Sequence, residues 1–429
     1  ALWSGRGASR AAMRALLGDA HETQGIQHID EDALRGRFEA QCVNARDAVR
    51  RCRSKEQSPW LQLDDEQQAS VLAALETPQF DGDARRRERA SLEHSRTPYG
   101  AEILRAFVAA ARQRSDGAAP KIAVVTASAF DPFDPVDFYL DALSEAGAEV
   151  EWWPVDAALA TAVFQRRDCA ALPMLRLEIL KLPARDKIYP DLVAQQQRAC
   201  EAPEALAALP SRVQGVFFAG GDQWKLRRAF FDRDDRPNAW LQALRRATAN
   251  GDVVIGGTSA GMAIAGQYYH PGGAPDDTTV LQNPTAIAIG NNFLTENLLA
   301  NLVTDTHFSQ RNRQARLMSF MASAIYNFGV TWQNVRGAAC DEATAYALDA
   351  NGSGLVFGTN YCFFAKATGA PEILAPGAAL TWNLNRDALN VYRVQGTASG
   401  ANTFNVGTFT GTGGTTQFWS SDRGTLTIR

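Results

Sequence analysis

The spacing of hydrophobic positions changes twice along the chain and divides it into three regions. Residues 1–96 are rich in Arg, Glu, Ala and Gln and poor in β-branched residues. Within them DDEQQASVLAALE repeats its apolar positions at helical spacing, and DARRRERASLEHSR is a solvated charge run. A helical N-terminal extension or insertion is expected there, without chemistry; His21, His28 and His94 read as surface residues. Residues 97–365 alternate two patterns. ILRAFVAAARQ, VDFYLDALSEAG, WKLRRAF and WLQALRRATANG have the helical period, while KIAVVTAS, AEVEWWPV, GVFFAGGDQ and VVIGG are short apolar runs with the character of covered strands. Such alternation predicts an α/β catalytic domain, a mostly parallel sheet with helices on both faces. From 366 to 429 the chain turns rich in Thr and Gly and reads as a β-rich segment of hairpins.

Composition narrows the picture only a little. The chain has 429 residues, 45% hydrophobic and 21% charged, with a net charge of −4. That is a globular balance with ample core, and no nucleic-acid partner is expected. No run of about 18 apolar residues suggests a membrane span. The opening ALWSG, without a Met, reads either as a trimmed chain or as a mature chain after signal removal. Six cysteines, Cys42, Cys52, Cys169, Cys200, Cys340 and Cys362, contain no C-x-x-C pair, so neither a metal nor a cofactor is expected. They fall into three local pairs, which suits disulfides and a secreted, extracellular or periplasmic setting. Six cysteines allow 15 pairings, so the local one is only the simplest.

Candidate chemistry centres on VVIGGTSAGMAIAGQ. Gly257, Ser259 and Gly261 spell G-x-S-x-G between a strand and a small-residue helix, the pattern of a sharp turn that pushes a serine hydroxyl out of the sheet. The motif alone recurs by chance; its flanks give it weight. A serine nucleophile needs a base. Of the two histidines that follow, His270 lies in the turn YYHPGG and His307 in LVTDTHF, a strand end leading into a helix. His307 is therefore the expected base. The acid that would orient it lies further on, with Asp341 and Glu342 together in GAACDEATAYAL. Neighbours on a strand face opposite sides, so only one of the two can serve, and the residues themselves leave the choice open. An oxyanion would need backbone N–H donors: Ala260, after the nucleophile, and Gly221 of AGGDQ are expected. In AGGDQ, Asp222 could equally be a helix cap. The order Ser, His, acid differs from the α/β-hydrolase order of Ser, acid, His.

Taken together, AGGDQ, GTSAGM, DTHFSQRNRQARL and DEATA resemble the cyanophycinase family, over about residues 98–365, with HFSQR-x-R as the most specific stretch. The resemblance implies a serine-type hydrolase related to aspartyl dipeptidases, on a fold like class I glutamine amidotransferases. It implies cyanophycin as the polymer partner: a polyaspartate whose side chains carry Arg in isopeptide linkage, cut in its backbone to β-aspartyl-arginine dipeptides. It also implies Ser259 as nucleophile, His307 as base and Glu342 as acid, with substrate contacts from Gln223, Arg311, Arg313 and Arg316. Guanidinium forks suit the free α-carboxylates of such a polymer. Asp222 and Asp305 are candidates for its guanidiniums. The chain departs from the family at Thr306, where Gln is common, at Ala315, where Gly is common, and in lacking a GGGE-like opening. Thr306 is thus a substrate contact in question. The Thr-rich tail and the cysteines resemble the extracellular type. A homodimer is the assembly entertained, and an aspartyl dipeptidase acting on short peptides is the alternative activity.

Overall fold

The computed structural model describes residues 76, 78–95, 99–272, 279–295 and 297–429. The expected helical character of residues 1–96 lies largely outside them, as do Cys42 and Cys52. The described residues form two compact units.

The smaller unit comprises residues up to Glu88, Phe130–Asp134 and Ala157–Ala202. It carries a two-residue ladder, Phe80–Asp81 with Ala84–Arg85, and a helix over Pro190–Glu201. Cys169 and Cys200 form a disulfide. A buried Arg185 bridges Glu76 at 2.6 Å and Asp131 at 2.5 Å, and the Tyr189 hydroxyl donates to Glu76 at 2.8 Å. A buried cation of this kind is tolerated because it is paired. No side chain proposed for chemistry lies in this unit.

The larger unit comprises Arg89–Ala129, Pro135–Asp156 and Pro203–Arg429. Its first sheet is four-stranded and wholly parallel, in the order Glu149–Trp152, Lys121–Val125, Gly215–Phe218, Val254–Gly257. Ile122 and Val124 pack with Val108 and Ala111 of the helix Gly100–Arg112 and Leu143 of the helix Val136–Glu145. On the alternate face Phe218 meets Phe230 of the helix Gln223–Phe230, and Phe293. Both faces are covered, which is why these strands are continuous apolar runs rather than alternating ones.

The second sheet differs from the expectation of a mostly parallel arrangement. Its order is Thr425–Ile428, Gly414–Asp422, Leu389–Gln395, Tyr361–Ala367, Arg336–Cys340, Leu302–Thr306, Tyr268–Tyr269, Gly290–Asn291. Leu302–Thr306 is parallel to Arg336–Cys340, whose connection carries the helix Gln314–Phe328. From Tyr361 onward each neighbouring pair is antiparallel. The segments between these strands carry the strands of a separate sheet, a short turn at Leu384–Arg386 and loops, and among the described residues no long helix that would bring the chain back in parallel. Strands after residue 366 therefore extend this sheet. One of its faces meets the helix Gln314–Phe328 in a core of Phe308, Phe320, Phe363, Val391 and Trp419. The other packs Cys340, Cys362, Phe364 and Val394 against Val356 and Phe404 of a four-stranded sheet built from residues 344–412.

Candidate active site

The strand Val254–Gly257 ends in Thr258 and Ser259, and the chain then enters a single helical turn, Ala260–Ala263. That turn is shorter than the small-residue run suggests. Ser259 has φ 51° and ψ −112°. A non-glycine residue held there carries strain on the order of 1–3 kcal/mol, which the surrounding packing must hold in place. The glycines make the turn feasible: a Cβ on Gly257 would lie 2.5 Å from the Gly261 carbonyl carbon.

Ser259 Oγ lies 2.7 Å from His307 Nε2, and His307 Nδ1 lies 2.8 Å from Glu342 Oε1. Three side chains from three strand ends thus form one hydrogen-bonded chain. His307 follows Leu302–Thr306 directly and has φ 50°, so the backbone turns sharply as it leaves the sheet. Partial burial lowers the His307 pKa from the ordinary imidazole value, Arg311 and Arg313 add to this, and Glu342 opposes it. The imidazole is therefore neutral at neutral pH, as an acceptor of the serine proton must be.

The two candidate acids take different tasks. Asp341 is buried; its Oδ1 accepts the Ser309 N–H at 2.7 Å and its Oδ2 the Tyr361 N–H at 3.2 Å. It ties the loop after His307 to the neighbouring strand. Glu342 faces the imidazole, and its own N–H donates to Gln310 Oε1 at 3.1 Å while Asn360 Nδ2 donates to its carbonyl at 2.8 Å. Gln310 and Asn360 escaped sequence reading, because nothing in HFSQR or GTNYC marks them as partners of a residue more than fifteen positions away.

The glycine loop approaches from the parallel sheet. Gly221 has φ 138°, and a Cβ there would collide with the Ser128 carbonyl, which accepts the Asp222 N–H at 2.8 Å. The Ser128 hydroxyl donates to the Ala219 and Gly220 carbonyls at 2.6 and 2.9 Å. Among the described residues, the Gly221 and Ala260 N–H groups donate to no backbone carbonyl. Asp222 caps the helix Gln223–Phe230 by accepting the Trp224 N–H at 2.8 Å, which commits one carboxylate oxygen to the cap. Gln223 is half-buried at the first position of that helix.

The remaining expected contacts separate. Arg311 is exposed, and among the described residues it makes no ion pair. Arg313 and Arg316 are buried instead: Arg316 meets Asp305 Oδ1 at 3.0 Å, and Arg313 donates to the Thr306 carbonyl at 2.8 Å with Asp305 3.6 Å away. Asp305 is fully buried and neutralised by these two guanidiniums. Arg313, Arg316 and Asp305, expected as substrate contacts, thus pair with one another and with the Thr306 carbonyl beside His307. Strand alternation sets Thr306 in the row of Cys340 and Cys362, on the opposite sheet face from Asp305.

The larger unit is thus a mixed α/β protein with a serine hydroxyl, an imidazole and a carboxylate in series, an arrangement capable of nucleophilic attack on an acyl carbon. Its relatives point the same way. Curated cyanophycinases of Synechococcus elongatus and Thermosynechococcus vestitus are each 30% identical over 168 residues, 39% of this chain and 46% of theirs. That of Trichormus variabilis is 28% identical over 136 residues, 32% of this chain and 42% of its own. The chain spans less than half the length of these relatives. No protein-family model matches it. Among solved structures, a peptidase from an acI-B1 Actinobacterium aligns over 72% of this chain and 91% of its own, at 13% identity and a TM-score of 0.38, too loose a likeness to define a shared fold.

Proposed function

We propose that this protein is a serine-type hydrolase that cuts the polyaspartate backbone of cyanophycin and releases β-aspartyl-arginine dipeptides. The observation that carries the reading is the continuous chain from strained Ser259 through His307 to Glu342. The similarity to cyanophycinases supplies the substrate class. In the proposed reaction His307 takes the Ser259 proton as the oxygen attacks the scissile carbonyl, and Glu342 holds the imidazole tautomer and stabilises its charge. The Gly221 and Ala260 N–H groups would receive the developing oxyanion. The imidazolium then protonates the leaving amine, and water repeats the sequence on the acyl-enzyme. Arg311 is the proposed first contact for an arginyl α-carboxylate, with Gln223 and the uncommitted oxygen of Asp222 as polar contacts at the glycine loop.

Under this reading the parallel sheet is the core of a class I glutamine amidotransferase-like fold, the protein is an exopeptidase, and its disulfides belong to a secreted or periplasmic chain. The runner-up is an aspartyl dipeptidase acting on short peptides. The two separate on substrate: insoluble cyanophycin, plain polyaspartate and β-aspartyl dipeptides offered to the purified protein. Clearing of cyanophycin with little attack on the other two is expected. Faster turnover of polyaspartate or of short dipeptides would overturn the polymer reading.

A further inference from the structure

The sheet register places one more guanidinium on the sheet face of Asp305. Asp305, Ala339, Phe363 and Arg393 stand opposite one another across four adjacent strands, with Thr415 next in the row. Residues in one such row share a face. Arg393 therefore lies on the face of Asp305, the residue two positions before His307. At about 4.8 Å per strand, it stands roughly 14 Å along the sheet from Asp305. The Arg393 guanidinium carbon is 3.9 Å from the centre of the Tyr361 ring. Tyr361 is in turn fixed at its backbone: Asp341 receives its N–H, and its carbonyl receives the Asp341 N–H at 2.9 Å. The stack is thus anchored to the residue beside Glu342.

Arg393 has an unusual balance sheet for a half-buried cation. Among the described residues it makes no ion pair and its side chain no hydrogen bond, and its Nε is buried without a partner. Its row neighbour Thr415 is exposed, so this end of the face opens to solvent. Arg336, by contrast, spends its guanidinium on the Gln333 carbonyl. A planar cation pre-set against an aromatic ring, with its donors uncommitted, matches a carboxylate.

We propose that Arg393, held against Tyr361, is a carboxylate subsite that binds an arginyl α-carboxylate of a polymer unit other than the one being cleaved. This rests on the polymer reading given above. It assigns the β-rich segment after residue 366 a part in holding long substrate, with Arg311 near the cut and Arg393 remote from it.

The test uses the full chain carrying Ser259→Ala, so that binding is read without turnover. Soluble cyanophycin oligomers of several units are titrated in two forms, native and with the arginine carboxylates converted to amides. Adding Arg393→Ala or the length-preserving Arg393→Gln is expected to weaken binding of the native oligomer about tenfold, the loss of one charge-assisted contact. The amidated oligomer should bind with and without the Arg393 change alike. Unaltered affinity for the native oligomer, no binding of it at all, or an equal loss for both forms in variants with unchanged thermal melting would overturn the subsite. Turnover of the same native oligomer by the unmutated protein is scored separately. If turnover fails while the carboxylate-dependent loss persists, the hydrolase reading falls and the subsite stands.

Discussion

At the scale of single residues, the proposed reaction makes Ser259, His307 and Glu342 one unit. Ser259→Ala or His307→Ala should each lower kcat on the order of 10⁴ or more, and the double variant should be little worse than either, because members of a unit do not contribute additively. An additive double variant would mean that the two act independently. The lowered His307 pKa has a direction that can be worked out. The base must be neutral, so activity is lost as pH falls through that pKa. Arg311 pushes it down; Arg311→Ala should move the acid limb of kcat/KM to higher pH. Glu342 pushes it up; Glu342→Gln should move the limb to lower pH and cut kcat by roughly 10³–10⁴, since an amide no longer stabilises the imidazolium. Limbs that move the opposite way would refute the electrostatic assignment. Under the proposed reaction Asp341 positions the loop after His307 through the Ser309 and Tyr361 N–H groups. Asp341→Asn cannot accept both the Ser309 and Tyr361 N–H groups, so kcat should fall on the order of 10–10²-fold with KM nearly unchanged and the acid limb in place. A displaced limb would instead make Asp341 the acid. Sequence already marked Ser259 and His307, through a glycine-flanked turn and a strand-end histidine. The Asp341–Glu342 choice was not in the residues alone, because it depends on which carboxylate the Ser309 and Tyr361 amides capture. The inward turn of Arg313 and Arg316 was hidden for a similar reason: a basic helix start looks the same whether its cations face solvent or a buried Asp305.

At the scale of elements, the bond between Cys340 and Cys362 joins two neighbouring antiparallel strands at directly opposed positions. Asp341 and Tyr361, one step on, exchange an N–H···O bond, so the cysteines occupy the adjoining pair, where Cα atoms approach most closely; they lie 4.1 Å apart. With a sequence separation of 22 between the linked positions, closure is worth about 3 kcal/mol in the chain-entropy model. The bridge also sits two residues before Glu342. Cys340→Ala with Cys362→Ala should therefore lower Tm and reduce kcat more than removal of the Cys169–Cys200 bond, which lies in the unit without the site. Peptide mapping under non-reducing conditions reads the pairing itself, and free thiols at Cys340 and Cys362 would remove this support for Glu342. The helices and strands at Gly100–Trp152 and Gly215–Gly257 were legible because each buries a stripe or a whole face and so shows its period, whereas the helix Pro190–Glu201, polar over much of its length, was not read. The helical turn after Ser259 was not: Ala and Gly are small enough for several backbone paths, and the glycine packing decides between them.

At the scale of the whole molecule, the mixed second sheet was the least legible feature. Its parallel pair follows from the long crossover through Gln314–Phe328, but the antiparallel edge depends on which turns the Thr- and Gly-rich tail closes, and no periodicity reports that. The central claim is tested most directly by incubating insoluble cyanophycin with the purified full chain and with Ser259→Ala, and following turbidity and soluble products by mass spectrometry. The account predicts clearing with β-aspartyl-arginine as the accumulating product for the unmutated chain, and neither for Ser259→Ala. Persistent turbidity with the unmutated chain, or equal dipeptide release by Ser259→Ala, would contradict it.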